Sequence, residues 1–201
     1  MVRALAKNHN EKRQHILSTA AEVFAREGIA RASMNEVARS AGISKANIYH
    51  YYDSKDALLF DILDQYLSSL RDRVCGLDLG GLTAEAKLHE VIRTILIAYE
   101  GMDKEHRIQT EGLPLLSEEK QQVLKEYQRQ MVQYVTSILT LNANEDLDQN
   151  PQKAWQLTMS VFGMLNWFYQ WKPMASQTER IAYAELVTEL TLTGITSKPN
   201  T

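Results

Sequence analysis

Glu36-Val37-Ala38-Arg39-Ser40-Ala41-Gly42-Ile43-Ser44-Lys45-Ala46-Asn47-Ile48-Tyr49-His50-Tyr51-Tyr52 decides the fold, because it places a helix, a glycine turn and a second short helix in immediate succession. Just upstream, Ser33-Met34-Asn35-Glu36 has the form of a capping box, in which serine hydroxyl and glutamate carboxylate each satisfy an orphan backbone N–H. The pattern predicts a helix from about Met34 to Ala41 that stops at Gly42. Ser44 can cap the next helix, Lys45 to Tyr51, which Asp53-Ser54 breaks. Two helices joined this tightly form a helix-turn-helix, whose second helix enters a DNA major groove. Glycine turns are common in helical hairpins, so the chemistry of the second helix carries the weight. A groove-reading helix needs a small N-terminal end, polar groups for base edges and phosphate ligands along its flank. Ser44, Lys45 and Asn47 meet the first two needs, and Ala46 is available to a thymine methyl. Tyr49 and His50 meet the third, while Ile48 and Tyr52 are the core candidates by spacing.

Working outward, the chain reads as all-α. A first helix is expected from about Glu11 to Glu27, with Ile16, Ala20, Val23 and Phe24 on one face and Gly28 as its stop. A fourth, from about Lys55 to Val74, carries Leu58, Leu59, Ile62, Leu63, Tyr66 and Leu70, with Asp61 and Asp64 on its solvated face. A glycine-rich connection over Cys75–Leu82 precedes a stripe of Leu88, Val91, Ile92, Ile95, Leu96 and Tyr99. Asp103–Glu111 forms a shorter helix, Leu113-Pro114-Leu115-Leu116 a bend, and Ser117 opens a long helix through Val123, Tyr127, Met131, Tyr134, Val135 and Ile138. Asn142–Asn150 is a polar loop, and Asn150-Pro151 caps a helix through Trp155, Met159, Phe162 and Trp167 that Lys172-Pro173 stops. Ser176-Gln177-Thr178-Glu179 is a second capping box and opens a last helix to about Thr193, before Gly194. Nine helices result, divided into a helix-turn-helix domain over 1–53 and a helical domain over 54–201 for ligand binding and dimerisation.

Composition narrows the function. With 201 residues, 44% of them hydrophobic, the chain can bury a real core. One cysteine, Cys75, allows neither an intrachain disulfide nor a thiolate metal site, and a reducing cytoplasm is the expected location. Met159–Trp171 is too short and too interrupted to span a bilayer, and the first eight residues lack a signal peptide's apolar core. The five histidines are scattered, and glycine-rich phosphate loops and nucleophile elbows are absent, so neither an enzyme, a metal nor a cofactor is expected. Residues 1–55 carry +4 in a chain of net charge −3, leaving −7 on the remainder. A basic head on an acidic body suits a head that meets a polyanion.

The run from Glu36 to Leu58 resembles the DNA-binding signature of the TetR family of bacterial transcription regulators, a likeness that covers roughly residues 11–60. The resemblance implies a homodimeric all-α regulator, usually a repressor, that leaves a palindromic double-stranded operator when a small-molecule effector binds its C-terminal domain. It further implies that Ser33, Tyr49, His50 and Lys55 hold phosphates, while Ser44, Lys45, Ala46 and Asn47 lie at the bases. A lysine in a helix's first turn is electrostatically unfavourable, which fits an anionic partner for Lys55. Asn47-Ile48 departs from the family's more usual small residue or threonine followed by leucine, and this bears on the operator sequence.

In the same architecture the last two helices form the subunit contact. Met159, Gly163 and Asn166 on one, and Leu186, Val187 and Leu190 on the other, could pack across a two-fold as a four-helix bundle or serve as ordinary core. The string from Phe162 to Pro173 combines aromatics with Lys172 and reads either as aromatic core or as a wall for a flat ring and a phosphate. It is similar to one in TetR-family regulators of acyl-CoA catabolism, including the fatty-acid and phenylacetate groups. That likeness implies a coenzyme A thioester effector, such as phenylacetyl-CoA or a fatty acyl-CoA. Its acyl part would lie among Tyr99, Leu116, Tyr134, Trp155 and Phe162, and its nucleotide near Trp167, Trp171 and Lys172. Those relatives often have an arginine near the proline, where this chain offers Lys172. A second reading is a helical acyl-CoA-binding or acyl-transforming protein whose head serves a partner other than DNA.

Overall fold

The computed structural model describes residues 2–142, 147 and 149–196, all of whose regular elements are helical. The helices are α1 (Val2–Glu27), α2 (Met34–Ser40), α3 (Lys45–Tyr51), α4 (Lys55–Cys75), α5 (Ala84–Ala98), α6 (Asp103–Gly112), α7 (Glu118–Thr140), α8 (Pro151–Trp171) and α9 (Gln177–Thr196), with a 3-10 turn at Leu113–Leu115. Most of the expected loop over Asn142–Asn150 lies outside the described residues.

Helix ends follow backbone chemistry. Gly28 and Gly42 adopt φ of +81° and +66°, a left-handed setting that costs residues with a Cβ. At Gly42 the N–H of Ile43 donates to Ala38 O at 3.0 Å and that of Gly42 to Arg39 O at 3.2 Å. These two bonds form a Schellman motif, which turns the chain between α2 and α3 while satisfying the last carbonyls. Gly194 was expected to end α9 and does not; it lacks a positive φ, so the helix continues to Thr196. At the other end of the chain α1 starts at Val2, ahead of the expected Glu11, because nothing in that polar run breaks a helix.

Two compact units result. The first comprises Met1–Leu67 with Lys104–Leu124. Its core holds Ile16, Ala20, Val23, Phe24, Val37, Ile48, Leu58, Leu59 and Leu63, so the stripes foreseen on α1 and α4 point inward. The end of α6 seats closely here: a Cβ on Gly112 would stand 2.8 Å from Ile29 Cδ1 and 3.0 Å from Leu59 Cδ1. Tyr66 and His106 are both buried and hydrogen-bond at 3.0 Å, joining α4 to α6.

The second unit comprises Ser68–Asp103 with Lys125–Thr201. Here α5 supplies Leu88, Val91, Ile92, Ile95 and Leu96, all buried, and α9 packs along it. Buried Val161, Leu165 and Phe168 of α8 and Ala184 and Val187 of α9 complete that side of the core. Arg180, in the first turn of α9, is 1% exposed. Its guanidinium donates to Ala175 O at 3.1 Å and Leu96 O at 3.3 Å and lies 3.8 Å from the Asp103 carboxylate. Asp103 also accepts the N–H of Met174 at 3.2 Å, so one carboxylate holds the α8–α9 connection.

Candidate nucleic-acid interface

The first unit builds its outer face from α2 and α3. Ser33 Oγ accepts the N–H of Glu36 at 3.2 Å and Ser44 Oγ that of Asn47 at 3.1 Å, so each helix is capped by its own serine. Such a cap contributes about 1 kcal/mol and leaves the remaining N-terminal N–H groups facing outward, where a phosphate can use them. The Glu36 carboxylate, expected to return a bond to the Ser33 N–H, lies instead 3.6 Å from Arg39 and 3.8 Å from Arg26. On α3, Ser44, Lys45, Ala46, Tyr49 and His50 are exposed and Asn47 is half-buried, whereas Ile48 and Tyr52 face the core. Ser33 is exposed as well. Seven of the candidate contact residues therefore present themselves on the surface of two consecutive helices.

Two contacts from α4 hold this face. The carboxylate of Asp61 accepts both the Arg13 guanidinium, at 2.6 Å, and the Tyr52 hydroxyl. Asp61 was expected on a solvated face, but its side chain is 16% exposed, drawn inward by these two donors. Burial and the bond to Asp61 push the Tyr52 phenol above its ordinary range. Lys55, expected at a phosphate, turns its ammonium to three carbonyls: Ile29 O at 2.8 Å, Ala30 O at 3.2 Å and Ala32 O at 3.1 Å. His9 lies against the Tyr51 ring at 4.8 Å, bringing α1 to the end of α3. None of these contacts has a short sequence spacing, so no local pattern announces them.

In the second unit the candidate effector residues do not form one set. Tyr99 and Phe162 are buried, Tyr134 is half-buried, and Leu116 is buried in the first unit. Trp155, Trp167 and Trp171 point outward and join Met159, at 41 to 64% exposure; with Gly163 they recur every four residues along α8. Tyr99 donates to Asn166 Oδ1 at 2.7 Å, and burial pushes its phenol upward. Lys172 pairs with Glu179 at 2.8 Å. Near Pro173 the arginine is Arg180, beneath the Phe168 ring at 5.7 Å; the linear spacing had shown only Lys172. Phe168 stacks on Tyr183 at 4.5 Å and Trp171 meets both rings edge-on. Of the expected dimer face, Leu186 and Leu190 are about half-exposed, but Val187 is fully buried in its own protomer, because it lies on the side of α9 that packs on α5. Among the described residues no group of three or more His, Cys, Asp or Glu could hold a metal ion, and no helix is long and apolar enough to cross a membrane.

Residues 16–62 match the family profile described as bacterial regulatory proteins, tetR family, and 81–195 match the tetracyclin repressor-like C-terminal domain. The chain belongs to the TetR family. This is a family of transcriptional regulators, not of enzymes. A TetR-family regulator from Bordetella parapertussis 12822 is 31% identical, with 90% of this chain and 93% of that one covered and a TM-score of 0.81. The HTH-type transcriptional repressor KstR2 of Rhodococcus jostii RHA1 is 30% identical over 95 residues, 47% of this chain and 45% of the relative. The chain thus spans about half the length of the curated relatives it matches. FadR from Bacillus subtilis, solved with stearoyl-CoA, is 20% identical with a TM-score of 0.69, covering 90% of this TetR-family chain and 98% of that one. At that identity the likeness is one of fold.

Proposed function

We propose that this chain is a DNA-binding transcriptional repressor, in which residues 1–53 read an operator and 54–201 bind an effector and dimerise. The observation that carries this reading is α3, capped by Ser44, anchored by Ile48 and Tyr52, and exposed along Ser44, Lys45, Ala46, Tyr49 and His50. In this reading Ser44, Lys45, Ala46 and Asn47 meet base edges while Ser33, Tyr49 and His50 hold phosphates. A homodimer places two such helices in major grooves about one DNA turn, ~34–36 Å, apart on a palindrome.

The outward stripe Trp155, Met159, Gly163, Trp167 and Trp171, with Leu186 and Leu190, supports α8 and α9 as the subunit contact. The effector we assign is a coenzyme A thioester, such as phenylacetyl-CoA or a fatty acyl-CoA. The buried aromatics Tyr99 and Phe162 suit an acyl group, and the shared fold with FadR supports the class. Lys172 is then available to a nucleotide phosphate once it leaves Glu179. Because α4 contributes to both compact units, an effector that fits one setting of α4 better than another changes DNA affinity.

The test is fluorescence anisotropy on DNA from upstream of the protein's own gene, titrated with phenylacetyl-CoA, a long-chain acyl-CoA and free CoA. Release by one thioester but not by CoA is the expected outcome. Binding that none of them moves would remove the effector assignment, and affinity that does not fall steeply with salt would remove DNA as the partner.

A further inference from the structure

We infer that Arg31 is a further phosphate ligand of the operator, gripping one backbone phosphate together with Ser33. This rests on the DNA-binding reading above. The arginines of the first unit whose side chains are described differ in what holds them. Arg13 pairs with Asp61 at 2.6 Å, Arg26 with Glu27 at 2.8 Å and Arg39 with Glu36 at 3.6 Å. Arg31 is exposed and is held by a carbonyl instead: its Nε donates to Glu27 O at 2.8 Å. The Glu27 carboxylate itself is engaged by Arg26, so the Arg31 charge is left without a counter-ion among the described residues. A guanidinium carries five N–H donors, and a bond from Nε leaves those on both Nη atoms, an end-on fork that matches two phosphate oxygens.

The backbone around Arg31 is fixed in advance. Ile29 and Ala32 are buried while Ala30 and Arg31 are exposed, so the turn between α1 and α2 is pinned at both ends and offers its middle to solvent. The N–H of Ala32 donates to Gly28 O at 3.1 Å. The Lys55 ammonium donates to Ala30 O at 3.2 Å and Ala32 O at 3.1 Å, the carbonyls on either side of Arg31, and adds its own positive charge there. A bound phosphate therefore orders little beyond the end of one side chain, which keeps the entropic cost of binding low. Two residues on, Ser33 Oγ accepts the Glu36 N–H and keeps its hydroxyl proton to donate. A charged fork and a hydroxyl within three residues suit the oxygens of one phosphodiester. The bond from Nε also satisfies one of the last carbonyls of α1, which lack helical partners. That capping role accounts for Nε and leaves the fork unexplained.

The experiment uses the full chain and a duplex that the wild-type protein selects from a random-sequence pool. Binding of wild type, Arg31→Gln and Arg26→Gln is measured against salt. Glutamine carries an amide N–H as far from the backbone as the arginine Nε, so R31Q keeps the bond to Glu27 O and loses only the charged fork. R26Q removes the same charge from an arginine that two carboxylates already occupy. Each phosphate ligand neutralised lowers the slope of log affinity against log salt by about 0.9, hence by about 1.8 for the two heads of a dimer. The expected result is that slope change for R31Q alone, about a tenfold or greater loss at low salt on selected and unrelated duplexes alike, and a chemical-denaturation midpoint equal to that of wild type. Methylphosphonate substitution, one backbone position at a time, then locates the partner: one position in each half-site should weaken wild type and leave R31Q no weaker, and Ser33→Ala should shrink the loss at that same position. A wild-type slope in R31Q, equal slope changes in R31Q and R26Q, a lowered midpoint with the same affinity loss at every salt concentration, or different positions for Arg31 and Ser33 would each overturn the proposal. If wild type selects no duplex, the DNA-binding reading fails and the proposal falls with it, an outcome that wild type alone reveals.

Discussion

Asp61 shows what one side chain can do that sequence spacing conceals. It lies three residues from Asp64 on α4, and that spacing alone places both on a polar helix face. Its partners, Arg13 and Tyr52, are 48 and 9 residues away in the chain, so only the fold discloses them. Hydrogen bonds to a charged group are worth about 1.5–3 kcal/mol, and Asp61→Asn should lower stability by roughly 2 kcal/mol on that scale. Chemical denaturation should show the midpoint falling at constant slope; an unchanged midpoint would mean that the carboxylate is dispensable. Ile48 and Tyr52, by contrast, are legible because their burial follows from helical period alone. Glu179 gives a pH-dependent case. Lys172 first, then the N–H and hydroxyl of Ser176, hold its carboxyl down to about 2 from an ordinary 4.5. A depressed carboxyl contributes stability above the unfolded value and loses it as pH falls through the folded one. The difference in melting temperature between wild type and Glu179→Gln should therefore be constant above pH 5 and close between about 4.5 and 2. A gap that persists at pH 2 would assign the effect to packing.

At the scale of elements, the helices were readable and some of their ends were not. Caps announce starts well: Ser33, Ser44, Asn150 and Ser176 each receive the expected backbone N–H. Glycine announces a stop only where the chain uses its left-handed freedom, as at Gly42 but not Gly194. Gly163 is the second glycine that helix α8 or α9 carries through its interior, and it stands on the outward stripe with nothing within 4 Å of a Cβ placed there. Alanine costs about 1 kcal/mol less than glycine inside a helix. Within one protomer Gly163→Ala should accordingly be neutral or stabilising. Across a close subunit contact the added methyl must be accommodated by the partner, and the dimer should dissociate at least tenfold more readily, as read by sedimentation equilibrium across a dilution series. A variant that dimerises as well as wild type would show that α8 does not approach its copy at this point.

For the whole molecule, the feature to explain is an α9 that is apolar on two sides. Ala184, Val187 and Ile195 serve its own protomer, while Leu186 and Leu190 stand half in water, as the tryptophan stripe of α8 does. Sequence periodicity marks a helix as buried all round without saying which neighbour covers each side, which is why Val187 and Leu186 could not be separated in advance. The same limit divided the effector set: aromatic residues spaced for a pocket wall turned out to lie on opposite sides of α8, Phe162 inward and Trp167 outward. If the outward side is a two-fold contact, each leucine is used twice per dimer. Covering the exposed half of a leucine is worth about 1 kcal/mol, and four such halves about 4 kcal/mol, or roughly a thousandfold in dissociation constant. Leu186→Glu/Leu190→Glu should then yield a folded monomer at micromolar concentration, with helical circular dichroism intact. Its DNA binding should fall further than its base contacts warrant, because each head would engage a half-site alone, and joining two half-sites into a palindrome would no longer raise affinity. A double variant that stays dimeric would move the subunit contact off α9, and one that is monomeric yet binds the full palindrome as tightly as wild type would separate DNA recognition from dimerisation altogether.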